Sequence, residues 1–211
     1  MGQLPPPGQP PSSEIAASTR AQIYLGFYND IRDLGMLIEN TKALYLSNRA
    51  AAAVLTELHR RNTELLYQNA LSREDWERSL LSRDVAVANT ALYEATVESL
   101  VARRDERAVQ MEFLNGDPVN IGKLYSLYTK EWEAQCRASK KDVAAAEAQF
   151  RMATFEVNTL IRVGEGATFF DRANAQKDLV AARAELAAKK NLDAGCAKNW
   201  PTRQQVQLLM N

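Results

Sequence analysis

The sequence predicts an all-α protein of long antiparallel coiled-coil helices running up, down, up and down as a rod, with no β-sheet. Two observations carry this. Three short turn signals punctuate the chain evenly: Gln68-Asn69-Ala70-Leu71-Ser72, Gly116-Asp117-Pro118-Val119-Asn120 and Gly164-Glu165-Gly166-Ala167-Thr168. Ser72, Asn120 and Thr168 stand 48 residues apart each time, and each is a good N-cap for the helix that follows. Between the signals, apolar residues recur in alternating steps of three and four, the mark of a coiled-coil seam, and no stretch alternates as a strand does. Such segments are far longer than ordinary globular helices.

The chain opens with a tether, residues 1–12, which includes Leu4-Pro5-Pro6-Pro7-Gly8-Gln9-Pro10-Pro11 and reads as flexible or polyproline. A tether of this kind fits the position after a removed signal or a lipid anchor. The helical domain is expected over residues 13–194, and 195–211 form a tail.

The first helix starts near Ser12 or Ser13, with Glu14 favouring the positive helix end. Its seam is Leu34, Leu37, Thr41, Leu44, Asn48, Ala51, Leu55, Leu58, Asn62 and Leu65. Asn48 and Asn62 are expected to be buried polar residues that fix register. Gly26 and Gly35 weaken the earlier part, since each costs about 1 kcal/mol relative to Ala inside a helix.

The second helix runs from Ser72 to Leu114, with a seam of Leu81, Val85, Ala88, Leu92, Ala95, Ser99, Ala102, Glu106, Val109 and Phe113. Asn115-Gly116 offers a left-handed C-cap and Pro118 prevents continuation. The third helix has the cleanest pattern: Tyr125, Thr129, Trp132, Cys136, Ser139, Val143, Ala146, Phe150, Ala153, Val157 and Leu160. Gly164 and Gly166 end it. The fourth, from Thr168 to about Ala194, has Ala175, Leu179, Ala182 and Leu186 as its stripe, and Gly195 and Pro201 break it.

Bulk charge narrows the partners. Lys plus Arg equals Asp plus Glu at 26 each, so the net charge is zero, which argues against nucleic acid, whose binding needs clustered positive charge. The mixed cluster Arg103-Arg104-Asp105-Glu106-Arg107 reads as a solvated helix face. No run approaches the roughly 18 apolar residues of a membrane span.

Catalytic and metal chemistry find little support. His59 is the only histidine and reads as an exposed or boundary residue, without the partners that a metal site or a triad needs. Glu74-Asp75 and Asp105-Glu106 are adjacent pairs that point to different faces of a helix. Gly164-Glu165-Gly166 lacks the strand and the Lys-Ser/Thr of a phosphate loop. Trp76 and Trp132 read as core or interface aromatics. We therefore expect no enzyme, no cofactor and no metal.

The tips carry a resemblance. The stretch Arg61 to Trp76, with Arg61, Leu65 and Ser72 at a spacing of four and seven, resembles the hairpin tip of periplasmic adaptor proteins (membrane fusion proteins) of tripartite efflux pumps. In that family the three positions mark the end that docks on the outer-membrane duct. The stretch Arg162 to Leu179 is similar to the helix-turn-helix signature of TolC-like outer-membrane ducts, through Gly164, Gly166, Thr168, Asp171 and Ala175-Gln176. The resemblance implies a periplasmic helical module, related to those machines and without their β-rich domains, that binds a duct or adaptor-like hairpin. Arg61, Leu65 and Ser72 would form its docking tip, and Gly164, Gly166 and Thr168 a second tip. The alternative is a generic coiled-coil scaffold or spacer that self-associates through its long faces. A helical pore-forming toxin is disfavoured because no hydrophobic tongue is available to enter a bilayer.

The two cysteines follow from counting. If helices three and four fold back at Glu165, Cys136 lies 29 residues before the turn and Cys196 lies 31 after it. Continuing the fourth stripe in steps of three and four reaches Lys189, Asp193 and Cys196, while Cys136 sits on the seam of helix three. Two cysteines that arrive level and facing predict a disulfide, and a disulfide fits an oxidising compartment such as the periplasm.

Overall fold

A computed structural model describes residues 13–114 and 121–196. Four long helices make up nearly all of it: α1 (Ser13–Tyr67), α2 (Arg73–Leu114), α3 (Ile121–Val163) and α4 (Phe169–Cys196), with a single 3-10 turn at Gly164–Gly166. No strand occurs among the described residues. The expected tether at 1–12, the second turn with its Asn115-Gly116 cap, Pro118 and Asn120, and residues 197–211 lie outside the described residues.

Among the described residues, helices pack only on their neighbours in chain order, α1 on α2, α2 on α3 and α3 on α4. The result is an open layer with α1 and α4 as its edges. It is not a closed four-helix bundle, because among the described residues α1 touches neither α3 nor α4. Ion pairs fix the antiparallel register: Arg78–Glu156 (3.4 Å), Asp84–Arg151 (3.7 Å), Glu98–Arg137 (3.5 Å) and Glu112–Lys123 (3.9 Å). As the number rises along α2, it falls in step along α3. The α1–α2 and α3–α4 turns therefore sit at the same end of the layer.

Local chemistry closes both turns. At the first, Ala70 N–H bonds the Leu65 carbonyl (2.8 Å) and Asn69 N–H the Leu66 carbonyl (3.0 Å), the Schellman arrangement that satisfies the last carbonyls of a helix. Asn69 takes φ 55°, a left-handed conformation that Asn tolerates better than most residues. Ser72 Oγ then accepts Asp75 N–H (3.0 Å) and donates to its carboxylate (2.7 Å). At the α3–α4 turn Gly164 takes φ 62°, where a side chain would be strained. Thr168 Oγ1 accepts Asp171 N–H (3.1 Å), and the Asp171 carboxylate accepts the Thr168 N–H (3.1 Å), a complete capping box. Ser72 and Thr168 are thus the N-caps that the sequence predicts. Replacing either by Ala should cost about 1 kcal/mol of stability, readable as a fall in the urea midpoint with unchanged helix content.

The seams agree in part with the pattern read from sequence. On α4 the half-buried residues are Ala175, Leu179, Ala182, Leu186, Lys189, Asp193 and Cys196, the predicted stripe and its extension, together with Gly195. Gly195 remains helical, so α4 runs two residues beyond the expected end. On α2 the buried Ala95, Ala102, Glu106 and Val109 lie on the predicted row, whereas the buried Ser79 and Ala86 lie off it. On α1 half of the seam is displaced. Leu34, Thr41, Asn48, Leu55 and Asn62 face α2, but the companion row is Ile38, Tyr45, Ala52, His59 and Leu66, one residue later than expected. Leu37, Leu44, Leu58 and Leu65 are exposed instead. Asn48 is half-buried, and its amide donates to its own helix at the Leu44 carbonyl (2.9 Å) rather than across the interface. Asn62 is also only half-buried. On α3 the predicted row carries Cys136 to α4. A second row of buried residues, Leu124, Glu131, Ala134, Ala145, Ala148, Phe155 and Thr159, was hidden by its small and polar members.

Candidate docking end and its supporting networks

The sequence-predicted tip residues come together at one end of the layer. Arg61 is exposed and its Nε bonds Glu57 Oε1 at 2.9 Å. Arg60 binds the same Glu57 at 2.8 Å, and these two guanidiniums hold the Glu57 carboxyl down at about 2. Leu65 is partly exposed at 39%. Ser72 is exposed, but its hydroxyl is committed to the cap. Ser72→Arg would therefore remove a cap as well as alter the surface, whereas Arg61→Ala is a clean surface change. At the second tip Gly164 supplies the left-handed residue, Gly166 has Val163 Cγ1 3.1 Å from where its Cβ would be, and the Arg172 guanidinium donates to the Gly164 carbonyl.

What the sequence reading missed is how apolar this end is. Tyr67 is 83% exposed, Phe169 84% and Phe170 75%, and Ile161 and Val163 are also exposed. Single exposed apolar residues need no explanation, but several large ones at one end of the layer set that end apart from the rest of the surface. The signal was available. Phe169 and Phe170 lie in the first turn after the cap, outside the Ala175, Leu179, Ala182, Leu186 stripe that faces α3.

A polar network stiffens the α1–α2 hairpin just below its tip. Trp76 Nε1 donates to Thr63 Oγ1 (3.0 Å), and Thr63 Oγ1 donates to the His59 carbonyl (2.8 Å). His59 Nδ1 lies 3.0 Å from Ser79 Oγ, and Ser79 gives its own proton to the Trp76 carbonyl (2.7 Å). The imidazole must therefore donate to Ser79 through Nδ1–H, which is the reverse of a base activating a nucleophile. His59 was expected to be exposed or at a boundary. It is instead buried, at 8%, because the displaced α1 row points it at α2 and against the Trp76 ring, 5.5 Å between centroids. Burial lowers its pKa below 6.5, with Arg83 adding to the shift. A base whose folded pKa is depressed binds its proton more readily in the unfolded chain, so its contribution to stability is lost as pH falls below about 6.5. Trp76 sits in the α1–α2 interface as expected.

Farther from the tip, Glu106 is 2% exposed between α2 and α3 beside Glu131. Gln110 donates to Glu106, and Gln135 Nε2 donates to Glu131 Oε1 at 2.7 Å. Burial pushes the Glu106 carboxyl up to about 7, against the opposing pull of Arg107 and with the help of Glu131. The sequence placed Glu106 both on the α2 seam and in a cluster read as a solvated face. The seam assignment is the one that holds, since Arg103 is exposed while Glu106 is buried.

At the far end of α4, Cys136 and Cys196 stand at disulfide distance, with Cα atoms 5.6 Å apart. Asp142–Lys189 (2.7 Å) and Glu147–Lys190 (2.9 Å) support the same register. Among the described residues no group of three His, Cys, Asp or Glu could hold a metal ion, and no helix is long and apolar enough to cross a membrane. No protein-family model, curated protein or solved structure matches the chain.

Proposed function

We propose that the protein is a non-enzymatic helical component of an envelope export or efflux-type complex, docking end-on against a helical hairpin of a duct or adaptor. The observation that carries this reading is the shared end. Two capped, tightly closed hairpin tips stand side by side there and expose Tyr67, Leu65, Ile161, Val163, Phe169 and Phe170. Rigid tips lose little conformational freedom on binding, and aromatic side chains make the strongest anchors at interfaces. The resemblance of the two tip sequences to adaptor and duct hairpins supports the partner class. The cysteine pair supports an oxidising compartment, and hence the periplasm, because disulfides persist mainly there.

Photo-crosslinking in the native host tests the reading. A photoreactive residue at Tyr67 or Phe169 should give one discrete adduct with an envelope protein, while the same residue at Val180, exposed on the flank of α4, should give none. Phe169→Ser with Phe170→Ser should abolish the adduct formed at Tyr67, with a binding loss of roughly 30-fold or more for a lost hot spot and unchanged helix content. Equal crosslinking from tip and flank would remove the claim that docking is end-on.

A further inference from the structure

We propose that the flank of α3 beyond Cys136 is a docking surface for this chain's own residues 197–211, which continue past Cys196 to cover Trp132, Thr129 and Tyr125. The α3 row that carries Cys136 to α4 runs on through these three residues in steps of four, three and four, and all three are half-buried. Tyr125 ties the row to the core through the buried Val109–Leu124 pair. α4 ends at Cys196, beside Cys136 with Cα atoms 5.6 Å apart. Residues 121–135 of α3 therefore extend past the end of α4, and among the described residues α1 does not touch α3.

The staple and an unmet hydrogen bond select the occupant. α4 is antiparallel to α3, so the chain that leaves Cys196 heads toward the start of α3, over this row. Trp132, one turn beyond Cys136, has its Nε1 buried with no hydrogen-bond partner among the described residues. Buried polar groups are nearly always paired, and the backbone carbonyls of the departing chain supply the acceptor. Other segments are badly placed for this. The tether at 1–12 leaves from α1, at the opposite edge of the layer. The connection at 115–120 is tied to α2 and α3 at the far end of the row.

Length, pattern and charge fit the same occupant. Fifteen residues, 197–211, face the fifteen of α3 at 121–135, a stretch of roughly 22 Å that fifteen residues span even when wholly helical. Pro201 bars α4 from continuing in register through Trp200. Thr202-Arg203-Gln204-Gln205 then offers a capping box for a new turn, in which Val206, Leu209 and Met210 share one face. Lys198 and Arg203 are the only charged side chains of the segment. Glu133, exposed beside the row, has no ion pair among the described residues. The disulfide holds the segment at the row at high effective concentration, so a small apolar face is enough. The proposal does not depend on the docking reading, since this row lies at the end of the layer away from the two tips.

Photo-crosslinking followed by limited proteolysis tests it on the full oxidised chain. A p-azidophenylalanine in place of Tyr125 should give an adduct of one-chain mass, in which the tryptic peptide 204–211 is joined to 124–130. Val206→Asp with Leu209→Asp should remove that adduct with helix content unchanged. The same double variant should let trypsin cut after Arg203 in the native protein roughly tenfold faster than in wild type, since a docked segment is cleaved only when it opens. No adduct, an adduct of two-chain mass, or one to residues 1–12 or 115–120 overturns the proposal. Cleavage after Arg203 at the same rate in wild type and variant overturns it as well.

Discussion

Reducing the Cys136–Cys196 pair, or replacing both residues by Ser, is expected to cost about 4 kcal/mol of stability for a closed loop of this length in the chain-entropy account. The loss should concentrate in α4. That helix contains no buried residue, and among the described residues the only helix it packs on is α3. Without the bond, α4 should fray from Cys196 inward, while α1 to α3 retain the pairing set by Arg78–Glu156 and Glu98–Arg137. Hydrogen exchange before and after reduction reads this directly: amides of residues 182–196 should lose most of their protection, and those of 131–148 should keep theirs. Uniform loss over all four helices would mean that the layer folds as one cooperative unit, with α4 no weaker than the rest.

Glu106 gives the second large effect. Its folded pKa is raised from 4.5 to about 7 by burial. The native state therefore holds a proton that the unfolded chain releases at lower pH. The stability associated with the protonated form is complete below about 4.5 and is lost as pH rises through about 7. A shift of that size corresponds to on the order of 3 kcal/mol between the two ends of the window. Glu106→Gln keeps the shape and a hydrogen-bonding amide without the charge, so it should raise the melting temperature clearly at pH 8 and change it little at pH 4.5. His59 acts in the opposite sense, losing stability toward acid. Removing the Glu106 titration should thus leave a protein whose melting temperature only rises with pH through the His59 range. A variant less stable than wild type at pH 8 would show that the ionised carboxylate is held by Arg107, 5.5 Å above the Phe27 ring, more firmly than it is penalised by burial.

The fold was legible because turn chemistry and periodicity agreed. Ser72 and Thr168 cap where their spacing placed them, and the α4 stripe extends through Lys189 and Asp193 to Cys196 without a slip. The same periodicity misread α1 because two rows compete there. One row carries leucines and is exposed. The other, with Ile38, Ala52 and His59, is buried against α2. Counting apolar residues selects the more hydrophobic row, whereas burial on an edge helix is decided by which face fits the neighbour's small side chains. The second buried row of α3 escaped for a related reason: Glu131, Ala134, Ala145, Ala148 and Thr159 contribute little hydrophobicity, and an inner helix of a layer must bury two sides. At the docking end, the caps and glycines could be read from local rules. That the Tyr67 tip and the Phe169-Phe170 tip share one end of the layer depends on α2 and α3 lying in register over their whole length, which no single segment encodes.

The central claim is that both hairpin tips form one end of an open layer. Spin labels at Asn69 and Ala167, one on each tip, test it with a single dipolar distance. Two helix spacings separate α1 from α3, so the account predicts a distance of about 20 Å between the helix axes, with label length added. A distance near the length of α2, roughly 63 Å at 1.5 Å per residue, would put the tips at opposite ends and contradict the account.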